Sequence, residues 1–136
     1  MDHAPILPAH RVYLQRSLSE PAFAQDGTSL LFAASGDGKT SVERVLLATG
    51  LRETLCVEPS PCGGVGYGGG LFCLRGDRLV VATREGRLAC VELPGGRGVQ
   101  IGPAIDGVGA PVVSECGRWE VHVAEYGGER FIALGS

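Results

Sequence analysis

The sequence predicts an all-β chain built from repeated four-stranded antiparallel units. Three observations predict it. Helical signals are almost absent, because no window holds apolar residues at i, i+3, i+4 and i+7 without a glycine breaking it. Short runs with period-two character recur instead, and a glycine turn closes each one. One turn pattern then returns three times along the chain. Glycine supplies the punctuation: 22 of the 136 residues are glycine, about twice the usual share near 7%.

An apolar-polar run from Arg11 to Leu18 reads as an extra N-terminal strand, residues 11–18. Glu20 to Ala24 is the next strand, closed by Gln25-Asp26-Gly27. Thr28 to Ala34 runs into Ser35-Gly36-Asp37-Gly38, Ser41 to Ala48 stops at Thr49-Gly50, and Leu51 to Val57 follows. A Pro- and Gly-rich loop spans 58–70, and the pattern restarts. Leu71 to Leu74 turns at Arg75-Gly76-Asp77, Arg78 to Thr83 at Arg84-Glu85-Gly86, and Arg87 to Leu93 at Pro94-Gly95-Gly96 before Val99 to Ile101. A last restart gives Pro111 to Ser114, the turn Glu115-Cys116-Gly117, Arg118 to Ala124, Gly127-Gly128 and Arg130 to Leu134.

These are three copies of one unit. Ala22-Phe23-Ala24-Gln25-Asp26-Gly27, Leu71-Phe72-Cys73-Leu74-Arg75-Gly76 and Val112-Val113-Ser114-Glu115-Cys116-Gly117 align, and a strand with a bulky middle follows each. The spacing is about 50 and then about 40 residues, the period of a four-stranded β-propeller blade. A β-sandwich is the alternative, but it predicts turns without recurrence of one turn sequence. The second strands, Leu30-Leu31-Phe32 and Leu79-Val80-Val81, suit positions covered on both faces. The third strands, such as Arg87-Leu88-Ala89-Cys90-Val91-Glu92, alternate more and suit a partly solvated place. By length, 1–136 is a single domain, divided into blade-like units at 19–57, 70–102 and 110–135. The third unit stops after its third strand.

The net charge of −3 offers no basic surface for nucleic acid or anionic lipid. No apolar run reaches the roughly 18 residues of a membrane span. Met1-Asp2-His3-Ala4-Pro5 is not a basic-then-apolar leader, so the expectation is a reducing, cytoplasmic setting. The five cysteines, Cys56, Cys62, Cys73, Cys90 and Cys116, contain no C-x-x-C pair. Cys73 and Cys90 read as small core residues, and a Cys56–Cys62 bridge stays open.

The chemistry-bearing motifs are weak. Ser35-Gly36-Asp37-Gly38-Lys39-Thr40 ends like a phosphate-binding loop, but Ala33 stands where that motif needs glycine, and a strand follows it. Arg75-Gly76-Asp77 coincides with a repeat turn. His3, His10 and His122 have no metal-ligand spacing, so neither a metal nor another cofactor is expected. His122 shares a strand face with Glu120, and the pair reads as an exposed polar stripe. The stretch Gly63-Gly64-Val65-Gly66-Tyr67-Gly68-Gly69-Gly70 reads either as a blade-to-blade crossover or as a binding loop. Tyr67, Gly68, Gly69 and Gly70 are the candidate binding residues, with Tyr67 able to stack or hydrogen-bond.

The turns Ala24-Gln25-Asp26-Gly27 and Ser114-Glu115-Cys116-Gly117-Arg118-Trp119 resemble the S-P-D-G blades of TolB-like propellers and of the prolyl-oligopeptidase family. Pro-Asp is replaced by Glu-Cys in the second. Gly66-Tyr67-Gly68-Gly69-Gly70-Leu71-Phe72 is similar to a Tyr-Gly-Gly-Gly stretch between the first two blades of dipeptidyl- and acylaminoacyl-peptidase-like serine peptidases. The resemblance covers roughly 17–134. It implies the non-catalytic propeller of such enzymes, which gates access and helps hold a peptide. The Gly-x-Ser-x-Gly nucleophile elbow of their hydrolase domain is absent from this sequence, so the chain is not expected to be an enzyme on its own.

Three units fall short of the usual four to eight blades. Two completions are expected. Either a second copy closes a six-bladed ring, with the 12–18 strand of each chain completing the other's third blade, or a hydrolase-bearing remainder of a longer protein does so.

Overall fold

The structure, a computed structural model, describes residues 16–62, 70–94 and 97–136. It is all-β among those residues, with eleven strands in three antiparallel sheets. The first sheet is a meander of β1 (Ser17–Phe23), β2 (Ser29–Gly36), β3 (Lys39–Leu46) and β4 (Arg52–Cys56). The second repeats it with β5 (Phe72–Arg75), β6 (Arg78–Ala82), β7 (Leu88–Glu92) and β8 (Val99–Ile101). The third holds β9 (Gly107–Val113), β10 (Glu120–Tyr126) and β11 (Glu129–Gly135), so β11 is an edge. This is the expected partial propeller, with sheets of four, four and three strands.

The turn chemistry explains the register. Asp26 accepts hydrogen bonds from the Thr28 amide at 2.9 Å and hydroxyl at 2.8 Å, fixing the β1–β2 turn ahead of Gly27. These two donors hold the Asp26 carboxyl below its ordinary range. The β2–β3 hairpin closes on the pair Gly36↔Lys39, with Asp37 and Gly38 at φ 52° and 73°. Two positive φ values make the tight connection that strand twist favours. The near-phosphate-loop residues are therefore a hairpin tip, with the Ser35 and Thr40 hydroxyls bonded at 2.9 Å.

Two cores lie between the sheets. Leu31, Val42 and Leu55 of the first blade meet Leu79, Val81, Ala89 and Val91 of the second. Val80, Ala82 and Leu88 of the second meet Val108 and Val113 of the third. Successive residues of a strand point to opposite faces, so Leu79 and Val80 line different cores. The middle blade is thus covered on both sides. For that reason β7 is more buried than its alternation implied, with Leu88, Ala89 and Val91 all enclosed.

The outer faces of the end blades are open. On the first, Leu18 pairs with Ala34 and Phe23 with Leu30, so both share the face of Phe32, and Phe23 is 71% exposed. On the third, Val112, Ile132 and Leu134 stand exposed, Ile132 at 69%. Ser17 and Leu18 belong to β1, paired with Ser35 and Ala34. They therefore open the first strand of the first blade and do not end a separate strand. Residues 11–15 of that expected strand lie outside the described residues.

All five cysteines are free, so there is no Cys56–Cys62 bridge. Cys73 packs against the second core, and Cys90 is half-buried beside Arg78, whose Nε lies 3.0 Å from its sulfur.

Candidate functional site

Of the residues singled out from the sequence, Tyr67, Gly68 and Gly69 lie outside the described residues. Gly70 is described, and its surroundings are structural. Its carbonyl accepts the Ala110 amide at 2.7 Å, a tie to the third blade. The next amide, Leu71, donates to Glu20 Oε2 at 2.5 Å, a tie to the first. A Cβ at Gly70 would lie 3.7 Å from that carboxylate oxygen. The first strands of all three units therefore converge at Gly70.

Backbone strain marks the same place. Glu20 has φ 54° and Ala110 φ 49°, and each precedes a proline, Pro21 and Pro111. Non-glycine residues rarely adopt such angles, and a following proline favours extended backbone instead. A register shift between Ser19 and Ala22 identifies a bulge in β1. Glu20 and Ala110 stand at equal distance before their turn glycines, Gly27 and Gly117. The bulge is thus a repeated device, placed where the inner strands meet.

A larger opening lies between the second and third blades. This cleft, about 500 Å³, runs from Leu88 and Ile101 on one wall to Ala124 and Phe131 on the other. Glu120 and His122 line it. The expected exposed polar stripe is corrected here. The two side chains do share a face, but that face turns inward onto the second blade, and Glu120 is only 9% exposed. Period-two spacing places residues on a common face without saying which face a neighbouring sheet covers. His122 Nδ1 lies 3.4 Å from Glu120 Oε1. Glu120 Oε2 is buried with no hydrogen-bond partner. Gly135 on β11 leaves room for this carboxylate, since a Cβ there would come within 2.5 Å of Oε1.

Arginines surround the cleft. Arg78 is committed, donating from Nη1 to the Gly117 carbonyl at 3.0 Å and from Nε to Cys90. The Cys90 contact, opposed by partial burial, raises the Arg78 pKa. Arg87 and Arg118 also line the cleft, and neither guanidinium makes an ion pair among the described residues.

A second charged cluster sits on the open face of the first blade. Glu43, 4% exposed, accepts from Arg16 at 3.2 Å, from the Ser41 hydroxyl at 2.9 Å and from Arg52. The Arg52 guanidinium also covers the Phe32 ring at 5.2 Å. Burial opposes ionisation of Glu43, but the Arg52 and Ser41 hydrogen bonds and both arginine charges outweigh it and lower its pKa. Among the described residues no three His, Cys, Asp or Glu side chains form a metal-sized group. No described helix is long and apolar enough to cross a membrane.

No protein-family model and no curated protein sequence matches this chain. Among solved structures it is similar to the crystal structure of TolB from Acinetobacter baumannii, with TM-score 0.67 and 17% identity. The match covers 85% of this chain and 29% of that one. The chain therefore spans less than a third of that structure, and the likeness is one of fold: the three sheets form a partial β-propeller that resembles TolB.

Proposed function

We infer that this chain acts as a non-catalytic β-propeller module, three blades of a larger ring that holds or gates a peptide or protein partner. The two open blade faces carry the reading. Phe23 and Leu18 on one end and Ile132 and Leu134 on the other are the kind of surface that the inner blades bury against each other. Stacked repeats leave such faces unburied only at uncapped ends, and contiguous exposed apolar surface marks a contact site. A second copy closing a six-bladed ring is the completion most economical in components. Light scattering on the size-exclusion peak tests it: a species of twice the 14.1 kDa chain is expected. A stable monomer would rule out closure by self-association.

The second reading is a propeller segment of a serine peptidase whose hydrolase domain is borne on other residues or another chain. The stretch around Tyr67 favours it through its resemblance to that family's first-to-second blade connection. A serine-directed fluorophosphonate probe should leave this chain unlabelled under both readings. Labelling of a co-purifying partner supports the second alone.

A further inference from the structure

We propose that the cleft between the second and third blades binds a small zwitterion with an apolar body, such as an aliphatic α-amino acid. Glu120 Oε2 is buried in the cleft wall with no hydrogen-bond partner. A buried acceptor left unpaired costs free energy until a donor reaches it. A ligand ammonium supplies both the donor and the opposite charge. His122 Nδ1 stands 3.4 Å from Oε1 without hydrogen-bonding to it, and is itself buried with no hydrogen-bond partner.

The cleft also asks for an anion. Arg87 and Arg118 line it without an ion-pair partner among the described residues. Guanidinium groups suit bidentate recognition of a carboxylate. Beside these charged groups the walls are apolar, with Leu88, Ile101, Ile105 and Phe131 available to an aliphatic side chain. The volume of about 500 Å³ falls in the roughly 300–1,000 Å³ range of small-molecule sites. A lone cation would leave the arginines unmatched, and a lone carboxylate would leave Glu120 unmatched. The cleft is complete within one chain, so its occupancy does not depend on ring closure.

Calorimetric titration of the full chain tests this with three probes of one shape: L-leucine, 3-methylbutylamine and 4-methylpentanoate. L-Leucine is expected to saturate, and each one-headed analogue to bind about tenfold more weakly, for the loss of one charged hydrogen bond. Glu120→Gln should weaken leucine and the amine by about tenfold and leave the acid unchanged. The double variant Arg87→Gln, Arg118→Gln should weaken leucine and the acid and leave the amine unchanged. Circular dichroism checks that each variant folds, and the three-probe comparison on the unaltered chain decides the matter if Glu120→Gln does not. Absence of saturable leucine binding up to about 20 mM, far weaker than metabolite-level affinity, overturns the proposal. So does an acid that binds as tightly as leucine, or a folded Glu120→Gln chain with unchanged leucine affinity.

Discussion

Glu43 shows how a single residue ties charge to stability. Its carboxylate is enclosed on a face that also carries exposed Leu18 and Phe23, and Arg16, Arg52 and Ser41 together keep it ionised. A carboxyl whose folded pKa lies below its unfolded value adds stability that is fully present above the unfolded value. That stability is lost as pH falls through the folded one. The urea midpoint should therefore drop on acidification below the ordinary value of 4.5, and Glu43→Gln should flatten that part of the profile. At neutral pH the same substitution should cost about 1–2 kcal/mol, since both arginines are partly solvated.

Gly86 and Gly38 separate two reasons for needing glycine. Both have positive φ, 69° and 73°. A Cβ at Gly38 meets nothing, whereas at Gly86 it would stand 1.8 Å from the Ile105 carbonyl oxygen. Gly38→Ala should cost about 1 kcal/mol from backbone strain alone, and Gly86→Ala about 3 kcal/mol or more, because the β8–β9 connection that carries Ile105 must also move. Chemical denaturation of the two variants measures the difference. The cysteines divide in the same manner. Burial, helped by the Glu58 charge, pushes the Cys56 thiol up to about 11. Cys116 is exposed, and the Ser114 hydroxyl and Arg118 amide lower its pKa. Brief alkylation at neutral pH should modify Cys116 and spare Cys56, as peptide mapping would show.

At the scale of elements, most strands were legible because glycine turns punctuate them and their side chains alternate. β9 was less so. Its first residues, Gly107-Val108-Gly109-Ala110, look like a loop, yet three of them are buried where the strand lies against the second blade. β1 begins earlier than its pattern suggests, because Ser17, Leu18 and Ser19 are all exposed and carry no alternation to read. The cleft was visible in part. Glu120 and His122 could be placed on one face with Arg118 close by in sequence, but Arg78 and Arg87 come from another repeat, and only the stacking of blades brings them to the cleft. β11 has a different consequence. Its seven residues form an unprotected edge beside an apolar face, an arrangement that invites pairing with another chain. Ile132→Lys should place a charge on that face and abolish concentration-dependent association in size-exclusion runs. Folding should be little affected, since Ile132 is 69% exposed.

Among the described residues, the core clusters couple each blade to its neighbour. The first and third share no core cluster, and each is anchored on the second. Such a stack behaves as a short one-dimensional array, in which each unit owes much of its stability to the interfaces on either side. The convergence of Glu20, Gly70 and Ala110 adds hydrogen bonds from the start of the second unit to both neighbours, where the inner strands meet.

The doubly covered middle blade then sets an order of opening. Leu79, Val80, Val81 and Ala82 are fully enclosed, two facing each way. Amides of β6 should exchange with deuterium only when a flanking blade detaches, whereas those of β1 and β11 should exchange through local fraying. Protection would fall away from the centre toward both ends. A partner that capped either end would slow exchange well inside the stack, at residues it never touches.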